Sequence, residues 1–320
     1  MSLTSELKNP NSPIRKWFDL RHTRTIDKII NHHNKILSQS QIISPQQGTN
    51  FPVVGNAVCY ALRKYIAQKL GDTNWHYTSL AWYGARYLQL TPLFDYCIDS
   101  NKEESVAIRL VILAALEQVT RNSKEINPIL QLFIGKEKID NLLIDSEIKK
   151  YWIPTFNDIS NIIQEIPTIY NLVFAENSLK TLSLDKGNSS SNKVICNTTF
   201  PLSEYLAGAD AQIITNGTIL DVRTSAKRKP FTYENLLQQL SYCLLDTNDE
   251  YSIHTLAWVY TRHSAVFKYP VHKLFSNINQ TRKEFEKMIL LSYGNYDNED
   301  LKDMYCQLKS NNLKSLSPEI

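Results

Sequence analysis

Residues 208–230 read GADAQIITNGTILDVRTSAKRKP, and this stretch decides how the surrounding chain folds. Asn216-Gly217 at its centre is the strongest short signal for a two-residue hairpin turn, because both central residues of such a turn take positive φ. The residues on either side, 211–215 and 218–224, are therefore predicted to be two paired β-strands.

A two-residue turn also sets the register of the two strands. Gln212 would then lie opposite Asp221, and Asp210 opposite Arg223. Side chains alternate between the faces with period 2. One face is expected to be apolar and core-like, with Ala211, Ile213, Leu220 and Val222. The opposite face is expected to be polar, with Asp210, Gln212, Asp221 and Arg223.

Two acidic residues on the polar face are candidate metal ligands. Diagonal neighbours on one face of a sheet lie roughly 7–8 Å apart at Cα, so Asp210 and Asp221 could share one divalent ion. Two hard oxygen ligands suit Mg²⁺, which keeps several waters and takes a phosphate as a further ligand. Arg223 would lie against that phosphate.

The same pattern has a plainer interpretation. An ordinary amphipathic hairpin also carries acidic and basic residues on its solvated face. In that case Asp210 would pair directly with Arg223 across the strands, and an exposed pair of this kind contributes at most about 1 kcal/mol.

Helical patterns dominate the chain upstream of the hairpin. Apolar positions from Val54 to Ile66 follow helical spacing, and the run from Val106 to Leu116 indicates a buried helix. Downstream, residues 233–245 have one apolar stripe and are predicted to be an amphipathic helix. Residues 253–260 and 265–269 are predicted to be a second pair of strands.

These patterns predict an α/β fold. The predicted regions are an N-terminal helical region over 1–167, an α/β core over 168–270 and a C-terminal helical tail over 271–320.

Composition excludes several classes of protein. The 320 residues include 42% hydrophobic and 21% charged residues, which are ordinary globular values and argue against a disordered chain. A net charge of +3 gives no global basicity, although a local basic patch is still compatible with nucleic-acid binding. The five Cys show no CxxC pair, so neither a zinc site nor a disulfide framework is indicated. No signal peptide or membrane span is predicted, and a cytoplasmic protein is expected.

The hairpin and the helix after it resemble a known nuclease signature. Asp210, followed on the next strand by Asp221 and Arg223 in ILDVR, resembles the PD-(D/E)XK motif, in which an Asp precedes (D/E)-X-K. Gln238 and Tyr242, in Q-x-x-x-Y spacing, are similar to a motif of the RecB-like branch. More generally, the chain resembles an uncharacterised bacterial family of this superfamily. The resemblance implies a restriction-endonuclease-like core, a mixed sheet flanked by helices.

The chain departs from that signature at two positions. Arg223 stands where the superfamily has Lys, and Arg keeps the charge but cannot accept a proton. In PVVGNAVCYALRKY, Gly55 and Cys59 resemble an upstream Gly-x-x-x-His motif, with Cys59 in the place of the His. A thiolate is a poor ligand for Mg²⁺.

The resemblance implies a metal-dependent nuclease that hydrolyses phosphodiester bonds of nucleic acid, with DNA favoured over RNA, in phage defence or mobile-element biology. Asp210, Asp221 and the Val222 carbonyl would hold Mg²⁺ or Mn²⁺, and Arg223 would stabilise the developing charge. Gln238 and Tyr242 would position water or the backbone of the substrate. Nucleic acid would be bound by the basic segment, which we define as Lys227, Arg228 and Lys229.

The alternative function is a catalytically silent nuclease-like module that binds nucleic acid or a protein partner. The retained Asp210 and Asp221 favour the enzyme, whereas Arg223 and Cys59 favour the silent module. A second copy of the chain is a further candidate partner.

Overall fold

The computed structural model describes residues 2–47, 50–99, 106–122, 126–135, 146–174, 193–206 and 208–294. The helices in these ranges are α1 (Leu3–Lys8), α2 (Pro13–Gln39), α3 (Phe51–Leu70), α4 (Leu80–Tyr87), α5 (Thr91–Asp99), α6 (Val106–Arg121), α7 (Pro128–Gln131), α8 (Ser146–Ile163), α9 (Ile166–Phe174), α10 (Tyr233–Leu245), α11 (Val271–Leu274) and α12 (Ile278–Tyr293). The strands are β1 (Val194–Thr199), β2 (Asp210–Thr215), β3 (Thr218–Arg223), β4 (Thr255–Tyr260) and β5 (Ala265–Pro270).

The strands form one mixed sheet in the order β1-β2-β3-β4-β5. Neighbouring strands are antiparallel except for β3 and β4, which are parallel. Parallel neighbours need a crossover connection, and α10 supplies it. The predicted α/β class and the helix predicted over 233–245 are confirmed.

The predicted hairpin turn is also confirmed. Asn216 has φ 46° and Gly217 has φ 64°, and the pairs next to the turn join Thr215 to Thr218 and Ile213 to Leu220. A Cβ on Gly217 would lie 2.6 Å from the Ser252 carbonyl oxygen. This turn therefore needs glycine for its φ and for its space.

The predicted register fails beyond the Ile213–Leu220 pair, where β2 and β3 separate. The Gln212 carbonyl accepts a hydrogen bond from Arg63 Nη2 at 2.9 Å, and the Gln212 side chain accepts one from the Val222 N–H at 2.8 Å. These two bonds replace the ladder, so Asp210 does not pair with Arg223 as predicted. The strands thus leave an opening at this end of the sheet.

Where β2 and β3 separate, the side chain of Ala211 also lies on the opposite face of the sheet from the one predicted. Ala211 packs with Ile214 and Ile219, and not with Ile213, Leu220 and Val222 as predicted. Asn197, which lies opposite Gln212 in β1, has φ 51°. The regular alternation of the strands is therefore interrupted at Gln212.

Helices cover both faces of the sheet. On one face, the helices from α3 through α9 pack in one hydrophobic core with Ile213, Leu220 and Val222 of the sheet. On the other face, α1, α2 and the helices from α10 through α12 pack in a second core with Ile214 and Ile219. The helices upstream of the sheet are thus divided between its two faces. The predicted division into 1–167, 168–270 and 271–320 stays a prediction, and most of the predicted tail beyond α12 lies outside the described residues.

Candidate active site

The opening between β2 and β3 leads into a cleft of about 730 Å³. The cleft lies between the divergent strands, α3, α6 and α10. The residues predicted from the sequence that line it are Cys59, Asp210, Asp221, Arg223, Gln238 and Tyr242. The structure therefore brings together five predicted site residues and the Cys of the upstream motif. Val222 is not among the lining residues.

Local structure explains why these side chains meet. Asp210 is the first residue of β2, and Asp221 and Arg223 are at the end of β3, so they flank the point where the strands separate. Gln238 and Tyr242 are four residues apart on α10 and lie on one helix face. That face is turned to the same end of the sheet.

Helix α3 approaches the end of β3 closely. A Cβ on Gly55 would lie 3.3 Å from Thr224 Oγ1, the residue after Arg223. Cys59 and Arg63 follow Gly55 at intervals of four residues, on the same face of α3. The small residue at Gly55 therefore allows Cys59 and Arg63 to reach the cleft.

Asp221 is nearly buried and is held by Arg223. The Nε and Nη2 atoms of Arg223 both lie 2.7 Å from Asp221 Oδ2. Burial alone would lower the pKa of Arg223, but the charge of Asp221 and its hydrogen bond raise the pKa above its usual value. Arg223 therefore stays charged and cannot act as a base.

The two α10 residues continue this chain of polar contacts. Arg223 Nη2 donates to Gln238 Oε1 at 3.5 Å, and Gln238 Nε2 donates to the Tyr242 hydroxyl at 2.7 Å. Burial raises the pKa of Tyr242, with a smaller contribution from Asp210. The Tyr242 hydroxyl therefore keeps its proton and can donate it in a hydrogen bond.

Asp210 is held by an arginine from the other side of the cleft. Arg121 Nη2 lies 2.8 Å from Asp210 Oδ2, and Arg121 Nη1 lies 3.3 Å from Oδ1. The Asn197 side-chain amide donates to Asp210 Oδ2 at 3.2 Å. Arg121 Nε donates to Glu117 Oε1 at 2.8 Å, four residues earlier on α6.

Arg63 connects this network to the sheet. Its side chain is buried, with Nη2 on the Gln212 carbonyl and Nη1 3.6 Å from Glu117 Oε2. Its guanidinium also lies over the Tyr60 ring, 4.8 Å from the centroid. Arg63 thus holds the strand at the level where the β2–β3 ladder ends.

Four residues of this site were not predicted from the sequence: Arg63, Asn197, Glu117 and Arg121. Arg63 carried a usable signal, since it continues the Gly55–Cys59 face by one further step of four residues. The spacing of four between Glu117 and Arg121 indicates only a local helical pair. Asn197 gave no signal.

Cys59 stands where the upstream motif has a histidine. Burial raises the pKa of the Cys59 thiol to about 12, so the thiol is a weak nucleophile near neutral pH. Sulfur is also a poor ligand for Mg²⁺. Cys59 therefore does not supply the ligand that a histidine would supply to such an ion.

The carboxylate oxygens of Asp210 and Asp221 are of the kind that Mg²⁺ and Mn²⁺ prefer as ligands. The described ranges contain no cluster of three or more His, Cys, Asp or Glu side chains that could hold a metal ion. Mg²⁺ needs only one or two carboxylates when phosphate and water complete its shell. Asp210 and Asp221 both line the cleft, but the separation of β2 from β3 removes the diagonal pairing from which a shared ion was predicted. The Val222 N–H donates to the Gln212 side chain of β2. Because the N–H and C=O of one strand residue point to the same neighbouring strand, the Val222 carbonyl also points towards β2.

The basic segment lies apart from these residues. Lys227, Arg228 and Lys229 are exposed in the connection between β3 and α10. They do not line the cleft. Their predicted contact with nucleic acid would therefore fall outside the cleft and stays a prediction.

Comparison with protein-family models, with curated proteins and with solved structures finds no match to this chain. Among the residues that the structure describes, no helix combines the length and the apolar character needed to cross a membrane.

Proposed function

We propose that this protein is a metal-dependent nuclease of the PD-(D/E)XK type, which hydrolyses phosphodiester bonds of nucleic acid, with DNA favoured. The observation that carries the proposal is the convergence of Asp210, Asp221 and Arg223 with the Gln238–Tyr242 pair in one cleft. Two carboxylates that can ligate a divalent ion and a fixed cation that can bind phosphate suit such a reaction.

Asp210, Asp221 and the Val222 carbonyl would hold Mg²⁺ or Mn²⁺. When bound, a divalent ion supplies Lewis acidity, which polarises a phosphoryl oxygen and acidifies water. Binding requires that Asp210 and Asp221 exchange at least part of their arginine contacts for the ion.

The other cleft residues would orient the phosphodiester. Arg223 offers a permanent charge and a planar fork of donors, which suits phosphate oxygens. Gln238 Oε1 accepts a hydrogen bond from the Arg223 guanidinium, and Gln238 is in turn hydrogen-bonded to the Tyr242 hydroxyl. Gln238 and Tyr242 would therefore act by positioning Arg223. Stabilisation of developing negative charge by such a fixed cation lowers the barrier to hydrolysis.

One observation favours a second candidate function, the catalytically silent module. Asp210 and Asp221 are each bound by an arginine, and Glu117 is bound as well, so the cleft is neutralised by the protein's own cations. A cleft of this kind could bind a phosphate backbone through its arginines without hydrolysing it.

A cleavage assay distinguishes these two functions. We expect the wild-type protein to cut labelled single- or double-stranded DNA or RNA in the presence of Mg²⁺ or Mn²⁺, and not in EDTA. Asp221→Asn should reduce the rate about 100-fold or more, the size of effect seen when a key charge-stabilising group is removed. Asp27→Asn, an exposed aspartate on α2, is the matched control and should cut like the wild type.

Binding without cleavage would support the silent module. If the wild type binds nucleic acid but cuts none of these substrates, and Arg223→Lys also creates no activity, the nuclease proposal is wrong.

A further inference from the structure

Arg121 is the most accessible arginine of the cleft. Its side chain is 42% exposed, against 29% for Arg223 and 1% for Arg63. It comes from the last turn of α6, whereas Arg223 comes from the end of β3. Of the cleft arginines, its guanidinium is therefore the one that solvent and a ligand reach most easily.

The Arg121 side chain has one fixed contact and one exchangeable contact. Its Nε donates to Glu117, whose side chain is buried and also lies near Arg63. Its two terminal nitrogens bind the carboxylate of Asp210, which is the more exposed of the two acidic partners. The terminal nitrogens can thus leave Asp210 while Nε stays on Glu117.

A divalent ion and Arg121 compete for the same carboxylate. An ion placed on Asp210 beside the bound guanidinium would meet a like charge at short range, which is unfavourable. A phosphate group offers the Arg121 fork a second acceptor of matching geometry. Moving Arg121 from Asp210 to a phosphate would therefore free Asp210 for the ion.

We propose that Arg121 is a switchable phosphate-binding residue, which occupies Asp210 in the free protein and moves to a backbone phosphate when nucleic acid enters. This inference rests on the proposed function. It makes nucleic acid and divalent ion bind cooperatively, and the coupling is reciprocal, so each ligand raises the affinity for the other by the same factor.

The test measures binding of Mn²⁺ by the loss of the free-ion signal in electron paramagnetic resonance. The full chain is titrated with Mn²⁺ alone and with a phosphorothioate DNA oligonucleotide that resists cleavage. For the wild type we expect the oligonucleotide to raise Mn²⁺ affinity about tenfold, within the usual range of coupling between two sites.

Arg121→Gln should bind Mn²⁺ about fivefold more tightly than the wild type without oligonucleotide. Its affinity should rise less than that of the wild type when the oligonucleotide is added, because a phosphate can still ligate the ion but no arginine has to leave Asp210. Arg121→Lys keeps the charge but loses the fork, so its Mn²⁺ affinity should lie between the two. Arg86→Gln is the matched control, since Arg86 is exposed on α4 and stacks on Trp82 outside the cleft. It should behave like the wild type.

The outcomes separate this inference from the proposed function. Mn²⁺ binding that is lost in Asp210→Asn but is equal in the wild type and Arg121→Gln would overturn the switch and leave the metal site intact. Failure of every variant to bind Mn²⁺, with and without oligonucleotide, would contradict the metal-dependent function and the switch together.

Discussion

Removing the buried carboxylate of Asp158 should destabilise the end of the sheet that carries the site. Asp158 on α8 and Arg262, which follows β4, are 0% and 1% exposed and share two contacts of 2.7 Å. Arg262 also donates to the carbonyl of Thr224, directly after Arg223, at 2.6 Å. This ion pair therefore fastens the end of β3 to the helical layer.

The size of the effect follows from burial. Asp158→Ala leaves the Arg262 cation buried without its carboxylate, and breaking a buried pair from one side costs about 3–5 kcal/mol. Arg262 keeps its bonds to the Thr224 and Ser44 carbonyls, so we expect about 3 kcal/mol. That is a large part of the roughly 5–15 kcal/mol by which a typical protein is stable.

Urea denaturation followed by circular dichroism measures this loss as a fall in the free energy of unfolding. The double variant Asp158→Leu/Arg262→Met leaves no buried charge. It should therefore lose less free energy of unfolding than the sum of the losses for Asp158→Leu alone and Arg262→Met alone. Asp27→Asn is the exposed control and should stay within about 0.5 kcal/mol of the wild type. A loss below about 1 kcal/mol for Asp158→Ala would show that this ion pair does not hold the end of β3.

Three further outcomes are expected. Changing the whole basic segment to Ala should flatten the slope of log affinity against log salt by up to about 2.7, for three phosphate contacts on duplex DNA; an unchanged slope, measured by fluorescence anisotropy, would place the contacts elsewhere. His33 is buried between Phe231 and Phe267, and burial, with a smaller effect of His32, lowers its pKa to about 3. As the pH falls below 6.5, His33 therefore takes up a proton in the unfolded chain but stays neutral in the folded protein. The free energy of unfolding should fall by up to about 1.4 kcal/mol for each pH unit between about pH 6.5 and about pH 3. His33→Phe should flatten this fall in urea titrations at several pH values, and an equal slope in both proteins would contradict the assignment. Gly217→Ala should destabilise by more than about 1 kcal/mol because of the positive φ and the close Ser252 carbonyl, and a wild-type melting temperature would contradict this reading of the turn.

Local signals predicted the parts of the fold that local chemistry determines. The Asn216-Gly217 turn needs two residues that accept positive φ, and this requirement is visible in any short window of sequence. The same holds for the single apolar stripe over 233–245, which became α10 with the predicted bounds. The motif residues Asp210, Asp221 and Gln238 line one cleft, although Asp210 does not take the register position that the hairpin pattern predicted.

The remaining features depend on contacts between distant parts of the chain. Pairing beyond Ile213–Leu220 fails because Arg63, about 150 residues upstream by the numbering, takes the Gln212 carbonyl. The partner of Asp210 is Arg121 from α6, and not Arg223 across the hairpin. The spacing of Arg63 after Cys59 indicates a shared helix face, but neither contact's partner can be read from spacing or composition, since each depends on how helices pack on the sheet.

The proposed function requires that Asp210 and Asp221 share one divalent ion beside a phosphate. A crystal of the protein with the phosphorothioate oligonucleotide, grown or soaked in Mn²⁺, tests it by the anomalous difference density of manganese. We expect one peak at about 2.0–2.2 Å from an oxygen of each carboxylate, close to the distances at which hard divalent ions bind oxygen, with Arg121 moved onto a phosphate. Oligonucleotide bound in the cleft without a manganese peak, and with Arg121 and Arg223 still on the two carboxylates, would contradict both the shared metal site and the switch of Arg121.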